Sequence, residues 1–433
     1  MGRTTTPIEE YKRIRLLWPD HLGLARGKYL PTRTKATSTG HSIAVFALGF
    51  DRNLTAHEGA FFYEGTPDLE VRFEPEEVRP GWEPATGLVI PDVFKDGEPL
   101  MMAPRNVLKK AIEDWDKLGY EPKVGLELEA FLMKRREDGG YGPIDTPGAY
   151  VYGTGSAVDP DGVLDELMET CETIGLKLES VHSEYDNGQF ELTLEYDDAL
   201  AACDDAFLLK VLAKEVAARR GLLCTFIGKP ITERGGSGTH VNLSLEQAGK
   251  NAFHDETADD GLAPITRHVL GGMMNHLRSM TAVCAPTVNA YKRLRPGQMS
   301  GYWVNWGYDH RGVAVRVPPA RGSRTRLEHR LSDGAVNPHI ATAAVLQAAR
   351  LGVVHQMAPP PAETKDCWDN VGTDKHVPTS LAAALDALES DQEFIDALSR
   401  AYVNAFVVVK RAEWERYAAH TTDWELNEYL HFL

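Results

Sequence analysis

Four short stretches of this chain alternate apolar with polar residues and carry the same unusual polar set, which constrains the fold more than any other feature. In VGLELEAF, residues 124–131, side chains pointing to opposite faces at period two put Val124, Leu126 and Leu128 on one face and Glu127 with Glu129 on the other. In GQFELTLEY, Phe190, Leu192 and Leu194 oppose Glu191, Thr193 and Glu195. In THVNLSL, Val241, Leu243 and Leu245 oppose His240, Asn242 and Ser244; in RLEHRL, Leu327 and Leu331 oppose Arg326, Glu328 and Arg330. A half-buried sheet with its polar face in water has the same period, and for any one strand that reading suffices. The composition of the set points elsewhere. Exposed strands mix Thr, Lys and Arg, whereas here Glu-x-Glu meets a histidine and an Arg-x-Glu-x-Arg triplet. Carboxylates packed side by side acquire raised pKa values unless a cation offsets them. Hard divalent cations take carboxylate oxygens, and Mn²⁺ also accepts imidazole. Acids of this kind beside arginines are the parts that phosphoryl transfer requires.

The arginines are available. Lys292 and Arg293 lie in YKRLRPG, followed by Arg311, Arg316, Arg326 and Arg330. Singly they would be solvated surface cations; clustered among acids they fit bidentate recognition of phosphate and carboxylate. The GGSGTH run before His240 is either a plain turn or a place where backbone approaches a ligand closely.

At 433 residues and 43% hydrophobic, the chain has material for two domains. Residues 1–100 read as a small β-rich domain, with β-type runs at Ile43–Leu48, Leu69–Phe73 and Gly87–Pro91 among Gly and Pro clusters. From Pro104 the spacing turns helical, so a second domain spans 101–433. Helices are predicted from Pro104 to the Gly119 stop and over 162–175, 199–221, 264–285, 338–357, 379–388 and 391–417. Strands are predicted over 123–133, 189–196, 222–227, 240–245, 313–317 and 326–331. This interspersion gives an α+β catalytic domain. A net charge of −17 argues against nucleic-acid or anionic-membrane partners. Five scattered cysteines without a CxxC pair argue for a reducing compartment. With no apolar leader or membrane-length run, a soluble cytoplasmic protein is expected.

Taken together, the motifs resemble the glutamine synthetase family over most of the chain: DHLGLARGKYLP, LELEAF, SEYDNGQFEL, EYDDAL, GSGTHVNLSL, PTVNAYKRLRPG, RLEHRLSDGAVNP and DWELNEYL follow in the family's order. The resemblance implies an N-terminal β-grasp domain, a catalytic domain with an antiparallel active-site sheet flanked by helices, and homo-oligomers of stacked rings, a dodecamer, with active sites between subunits. It implies ATP as co-substrate and two or more Mg²⁺ or Mn²⁺ ions, one held by Glu129, Glu184 and Glu191 and another by Glu127, His240 and Glu328. Arg293 and Arg330 would bind glutamate, with Gly236 beside it; Arg311 and Arg316 would face the phosphates; Arg316, Arg326, Asn242 and Ser244 would line the nucleotide site. Tyr150 would stand against the amine and Glu184 would serve as general base.

The departures from the family narrow the reaction. Gly235 replaces an asparagine that contacts glutamate, and Asn242 replaces the second histidine of a His-x-His strand. The flap after YKRLRPG places Met299 where the family has a glutamate, and a thioether neither takes a proton nor balances an ammonium. Asp51 is a candidate for the aspartate that completes the ammonium site from the neighbouring subunit. The SGYW segment after the flap resembles alkylamine-using members. The expected activity is therefore ATP-dependent formation of a γ-glutamyl amide from glutamate and a small organic amine such as methylamine or ethanolamine. The alternatives are a glutamine synthetase using ammonia, a γ-glutamylpolyamine synthetase, and a non-catalytic binding protein.

Overall fold

A computed structural model describes residues 7–433. Residues 13–99 build two four-stranded sheets. In one, Arg13–Pro19 runs between antiparallel Ala25–Pro31 and parallel Thr86–Val89. The other is antiparallel and joins Ser38–Ser42, Asp68–Arg72, Asp92–Lys95 and Glu98–Pro99. Ile14, Leu16 and Trp18 alternate inward and pack with Phe46, Leu69 and Val71 in a core drawn from this region, which Ala405 also joins. The run predicted as a strand at 43–48 is instead a 3-10 helix, Ile43–Ala47. Its buried residues Ile43, Phe46 and Ala47 follow helical spacing, and the Ser42 hydroxyl caps its start by accepting from the Ala44 amide. A short apolar run does not reveal its period when polar interruptions are missing.

Beyond residue 100 the fold is mixed α/β. A sheet of eleven strands among the described residues has the central order 178–183, 189–194, 121–135, 239–247, 327–329, 315–317, 306–308. Neighbours on this path are antiparallel except the final pair, Val315–Val317 with Trp306–Tyr308. Val124, Leu126, Leu128, Leu192, Val241, Leu243 and Leu327 are fully buried on one side of it. They belong to a large core shared with helices Pro104–Asp116, Ala199–Arg219, Pro264–Cys284 and Pro338–Val354. The predicted helix over 391–417 is two helices, Gln392–Leu398 and Arg400–Ala418. Ser399 leaves helical geometry, and its hydroxyl caps the second by accepting from the Tyr402 amide at 3.2 Å. All five cysteines are free and buried. Among the described residues no helix is long and apolar enough to cross a membrane.

Candidate active site

The sheet register brings the polar faces of the four alternating strands together. Glu129 pairs with Glu191, Glu127 with Thr193 on one side and His240 on the other, and Glu328 with both Asn242 and Arg316. Cross-strand neighbours on one face stand close enough for direct contact. His240 Nδ1 lies 3.0 Å from Glu127 Oε2 and 3.7 Å from Glu328, while its Nε2 lies 3.6 Å from Glu129. Asn242 donates to the other Glu127 oxygen at 3.0 Å and accepts from Arg326 at 3.0 Å. Glu328, almost fully buried, is bound by Arg330 and by Arg316 at 2.8 Å. Glu195, expected on the same face, lies past the strand end and is exposed.

These acids have divergent electrostatics. Burial pushes the Glu127 carboxyl up, but the His240 hydrogen bond and charge, the Asn242 amide and the Arg330 guanidinium outweigh it and bring the pKa down to about 2. Burial and then the Glu129 and Glu191 carboxylates push Glu184 up to about 7. His182, two residues earlier and opposite Glu191 in the sheet, is pushed up to about 9, first by its hydrogen bond to Glu191 at 3.1 Å. So dense a set of acids and imidazoles suits a divalent cation. Donor atoms of Glu127, Glu191 and His240 lie within 4.8 Å of one another, as do those of His182, Glu184 and Glu191. The sets expected from the sequence, Glu129 with Glu184 and Glu191 and Glu328 with Glu127 and His240, share members with both groups. One Glu129 oxygen accepts from the Gly238 amide at 2.7 Å, and Glu328 also pairs with its two arginines.

The acids form the floor of a cleft of about 950 Å³. Its walls include Gly235, Gly236, Arg293, Met299, Arg311, Arg316, Arg326 and Arg330. A recess of about 310 Å³ adjoins it, sharing Glu127 and Arg326 and lined by Asn242 and Ser244. The glycine run has a definite purpose here. A methyl group on Gly238 would come within 2.5 Å of Arg293 Nη2, and one on Gly236 within 2.8 Å of its Cγ. The bare backbone thus clears a path for the buried Arg293 side chain. Arg293 reaches the far wall, where it donates to the Leu331 carbonyl at 2.9 Å and the Arg330 carbonyl at 3.2 Å.

One sequence expectation is placed differently. Tyr150 lies outside the cleft and is 71% exposed; Tyr152 lines it, with a left-handed backbone and its ring 5.1 Å from that of His182. Asp51 lies outside the cleft lining of its own chain and pairs with Arg416 at 3.1 Å. The aromatics of SGYW turn into the protein, where Tyr302 stacks on His376 and anchors the base of the flap. Met299 itself is half-exposed in the cleft. Sequence reading missed His182, although His182 and Glu184 have the same period-two spacing as the other pairs. It also missed Trp368, which lines the cleft from a turn with no local signal.

Known proteins share this chain's sequence pattern and fold. The profile described as "Glutamine synthetase, catalytic domain" matches residues 101–429. A glutamine synthetase of Pyrococcus abyssi is 31% identical over 449 aligned positions, covering 99% of this chain and 98% of the relative. One from Thermotoga maritima is 33% identical over 352, covering 79% and 80%. Two solved structures, "Apo GmaS without ligand" and "GmaS/ADP complex-Conformation 1", superpose with TM-scores of 0.86 at 31% and 30% identity, each over 99% of this chain and 100% of the other. The chain therefore belongs to the glutamine synthetase family and is an ATP-dependent ligase that forms carbon–nitrogen bonds.

Proposed function

We propose that this ligase joins glutamate to a small primary organic amine, such as methylamine or ethanolamine, through γ-glutamyl phosphate. The observation that carries the reading is Met299, an apolar side chain in the flap of a cleft whose floor is acidic. Its thioether covers an alkyl group but supplies neither charge nor base to ammonium. The likeness to GmaS, a γ-glutamylmethylamide synthetase, supports the same reading.

Divalent cations, Mg²⁺ or Mn²⁺, would be held by Glu129, Glu184 and Glu191 and by Glu127, His240 and Glu328, with His182 an additional donor. When bound they supply counter-charge to the ATP polyphosphate. Arg311 and Arg316 face the transferred phosphoryl group, while Arg330 and Arg293, with Gly236 beside them, hold the glutamate. Asn242, Ser244 and Arg326 line the recess that takes the rest of the nucleotide. The γ-carboxylate attacks the terminal phosphorus and ADP leaves. The amine nitrogen then attacks the acyl carbon, the carbon–oxygen bond to phosphate breaks, and Glu184 takes the proton lost from nitrogen. We also propose that residues 1–100 form a domain completing the neighbouring subunit's site in a stacked-ring dodecamer, which gives Asp51 its place.

The second reading, glutamine synthesis from ammonia, is favoured by the names of the curated relatives. Phosphate release with glutamate, ATP and each amine in turn separates the two. The wild type is expected to show a higher kcat/KM for at least one primary amine than for ammonia, and Met299→Glu to move the ratio towards ammonia by about tenfold. If ammonia outperforms every amine and Met299→Glu changes nothing, the organic-amine reading is wrong.

A further inference from the structure

The flap side of the cleft holds an indole and a hydroxyl that the reaction scheme leaves unused. Trp368 lines the cleft with half of its surface open. It is carried on the turn 363–372, which its own acids hold rigid. The Glu363 carboxylate accepts from the amides of Thr364, Lys365 and Gly372 at 3.1, 3.0 and 2.7 Å. Asp366 accepts from the amides of Trp368, Asp369 and Asn370 at 2.7, 3.0 and 3.0 Å. The Cys367 side chain, next in sequence, is buried with its sulfur 3.3 Å from the Asn305 amide nitrogen. His310, next to Arg311, meets the Lys365 carbonyl at 2.6 Å and ties the turn to the segment that carries Arg311. A ring presented this way offers apolar contact area with little conformational entropy left to lose.

The flap faces it. A methyl group on Gly297 would lie 3.6 Å from Trp368 Cδ1 and 3.7 Å from Nε1, so the indole edge stands at contact range from flap backbone two residues before Met299. The next residue is Ser300, only 2% exposed; it lines the same cleft, and its hydroxyl has no hydrogen-bond partner among the described residues. Buried hydroxyls are rarely left unmatched, and this one is placed to find its partner in a ligand. An apolar ring and thioether beside one unmatched hydroxyl complement a molecule that is part alkyl and part nitrogen.

Building on the organic-amine reading, we propose that Trp368 closes with Met299 over the alkyl group of the acceptor and that Ser300 bonds its nitrogen, making this wall the determinant of which amine is used. The ligand class is a primary amine with a short alkyl chain. By covering the acceptor pocket, the indole also keeps water from the γ-glutamyl phosphate.

The test compares wild type, Trp368→Ala, Trp368→Phe and Ser300→Ala, measuring KM for methylamine, glutamate and ATP, together with phosphate release in the absence of amine. Trp368→Ala should raise the methylamine KM about tenfold and increase amine-independent phosphate release, with glutamate and ATP KM values unchanged. Trp368→Phe should restore the methylamine KM to within about threefold of wild type. Ser300→Ala should raise the methylamine KM without increasing amine-independent release. Should Trp368→Ala fail to fold, Trp368→Leu carries the same comparison. An unchanged methylamine KM, or one that rises in step with those for glutamate and ATP, overturns the inference while leaving the organic-amine reading intact. A wild type that prefers ammonia overturns that reading, and this inference with it.

Discussion

At the scale of single residues, Glu127 is the side chain on which the site's polar network converges. It binds His240 with one oxygen and Asn242 with the other, and Asn242 in turn receives Arg326 from the adjoining recess. Glu127→Ala removes a carboxylate proposed to hold a cation and releases both partners, so amide formation is expected to fall at least ~100-fold at ordinary Mg²⁺ or Mn²⁺. Near-normal phosphate release would show that Glu127 holds no essential cation. Arg330 is the complementary case. It is buried against Glu328, and its Nε meets the Arg311 carbonyl at 3.2 Å. Arg330→Ala should raise the KM for glutamate far more than that for ATP, because no neutral side chain replaces a guanidinium fork on a carboxylate. Equal losses for both substrates would contradict the assignment.

At the scale of elements, the catalytic sheet stands on helices whose packing leaves no room at two points. A methyl group on Gly272, in Pro264–Cys284, would meet the Ala348 carbonyl oxygen at 2.1 Å; one on Gly352, in Pro338–Val354, would meet the His268 carbonyl oxygen at 2.1 Å. Both obstacles are backbone, so neither yields by a rotamer change. Gly272→Ala should cost about 2–3 kcal/mol or more and appear as a lowered urea midpoint at fixed protein concentration; an unchanged midpoint would mean that the helices separate freely. The same distinction governs what is legible in the sequence. Val124, Leu126 and Leu128 opposite Glu127 and Glu129 announce their strand, because a two-residue period with chemically distinct faces fits a half-buried strand and no helix. The strand Leu178–Ser183 escapes such reading, since LESVHS has no clean alternation, and His182 escapes with it. Trp368 is positioned by amide hydrogen bonds to Glu363 and Asp366 within an irregular turn, which periodicity does not encode. Arg293, expected as a ligand-binding residue, also braces the strand end through backbone carbonyls, a bond set by tertiary approach alone.

At the scale of the whole molecule, the N-terminal sheets meet the catalytic part at several places, among them Arg15 with Glu215, Arg79 with Asp205, and residues 20–21. Asn337, the N-cap of helix Pro338–Val354, donates to the Asp20 carbonyl at 3.1 Å, and the Tyr402 hydroxyl lies 3.4 Å from the His21 carbonyl. The His21 imidazole is buried in this seam beside Phe46. Burial, followed by the charges of Lys410 and His57, pushes its pKa down to about 3. The folded state therefore refuses a proton that the unfolded chain accepts below its ordinary value of about 6.5. The stability this contributes is present above pH 6.5 and is lost progressively as pH falls towards 3. Between pH 7 and pH 5 the loss amounts to about 2 kcal/mol from this one group, at 1.36 kcal/mol per unit. Asp20, whose carboxyl burial raises, acts with the opposite sign, but it is present in wild type and variant alike. Denaturant midpoints at pH 5, 6 and 7 and fixed protein concentration should fall towards acid in the wild type and fall less steeply in His21→Gln, even if the variant is less stable at pH 7. Parallel slopes for the two proteins would show that the seam admits the proton, and that the junction between the two parts of the chain is open to water.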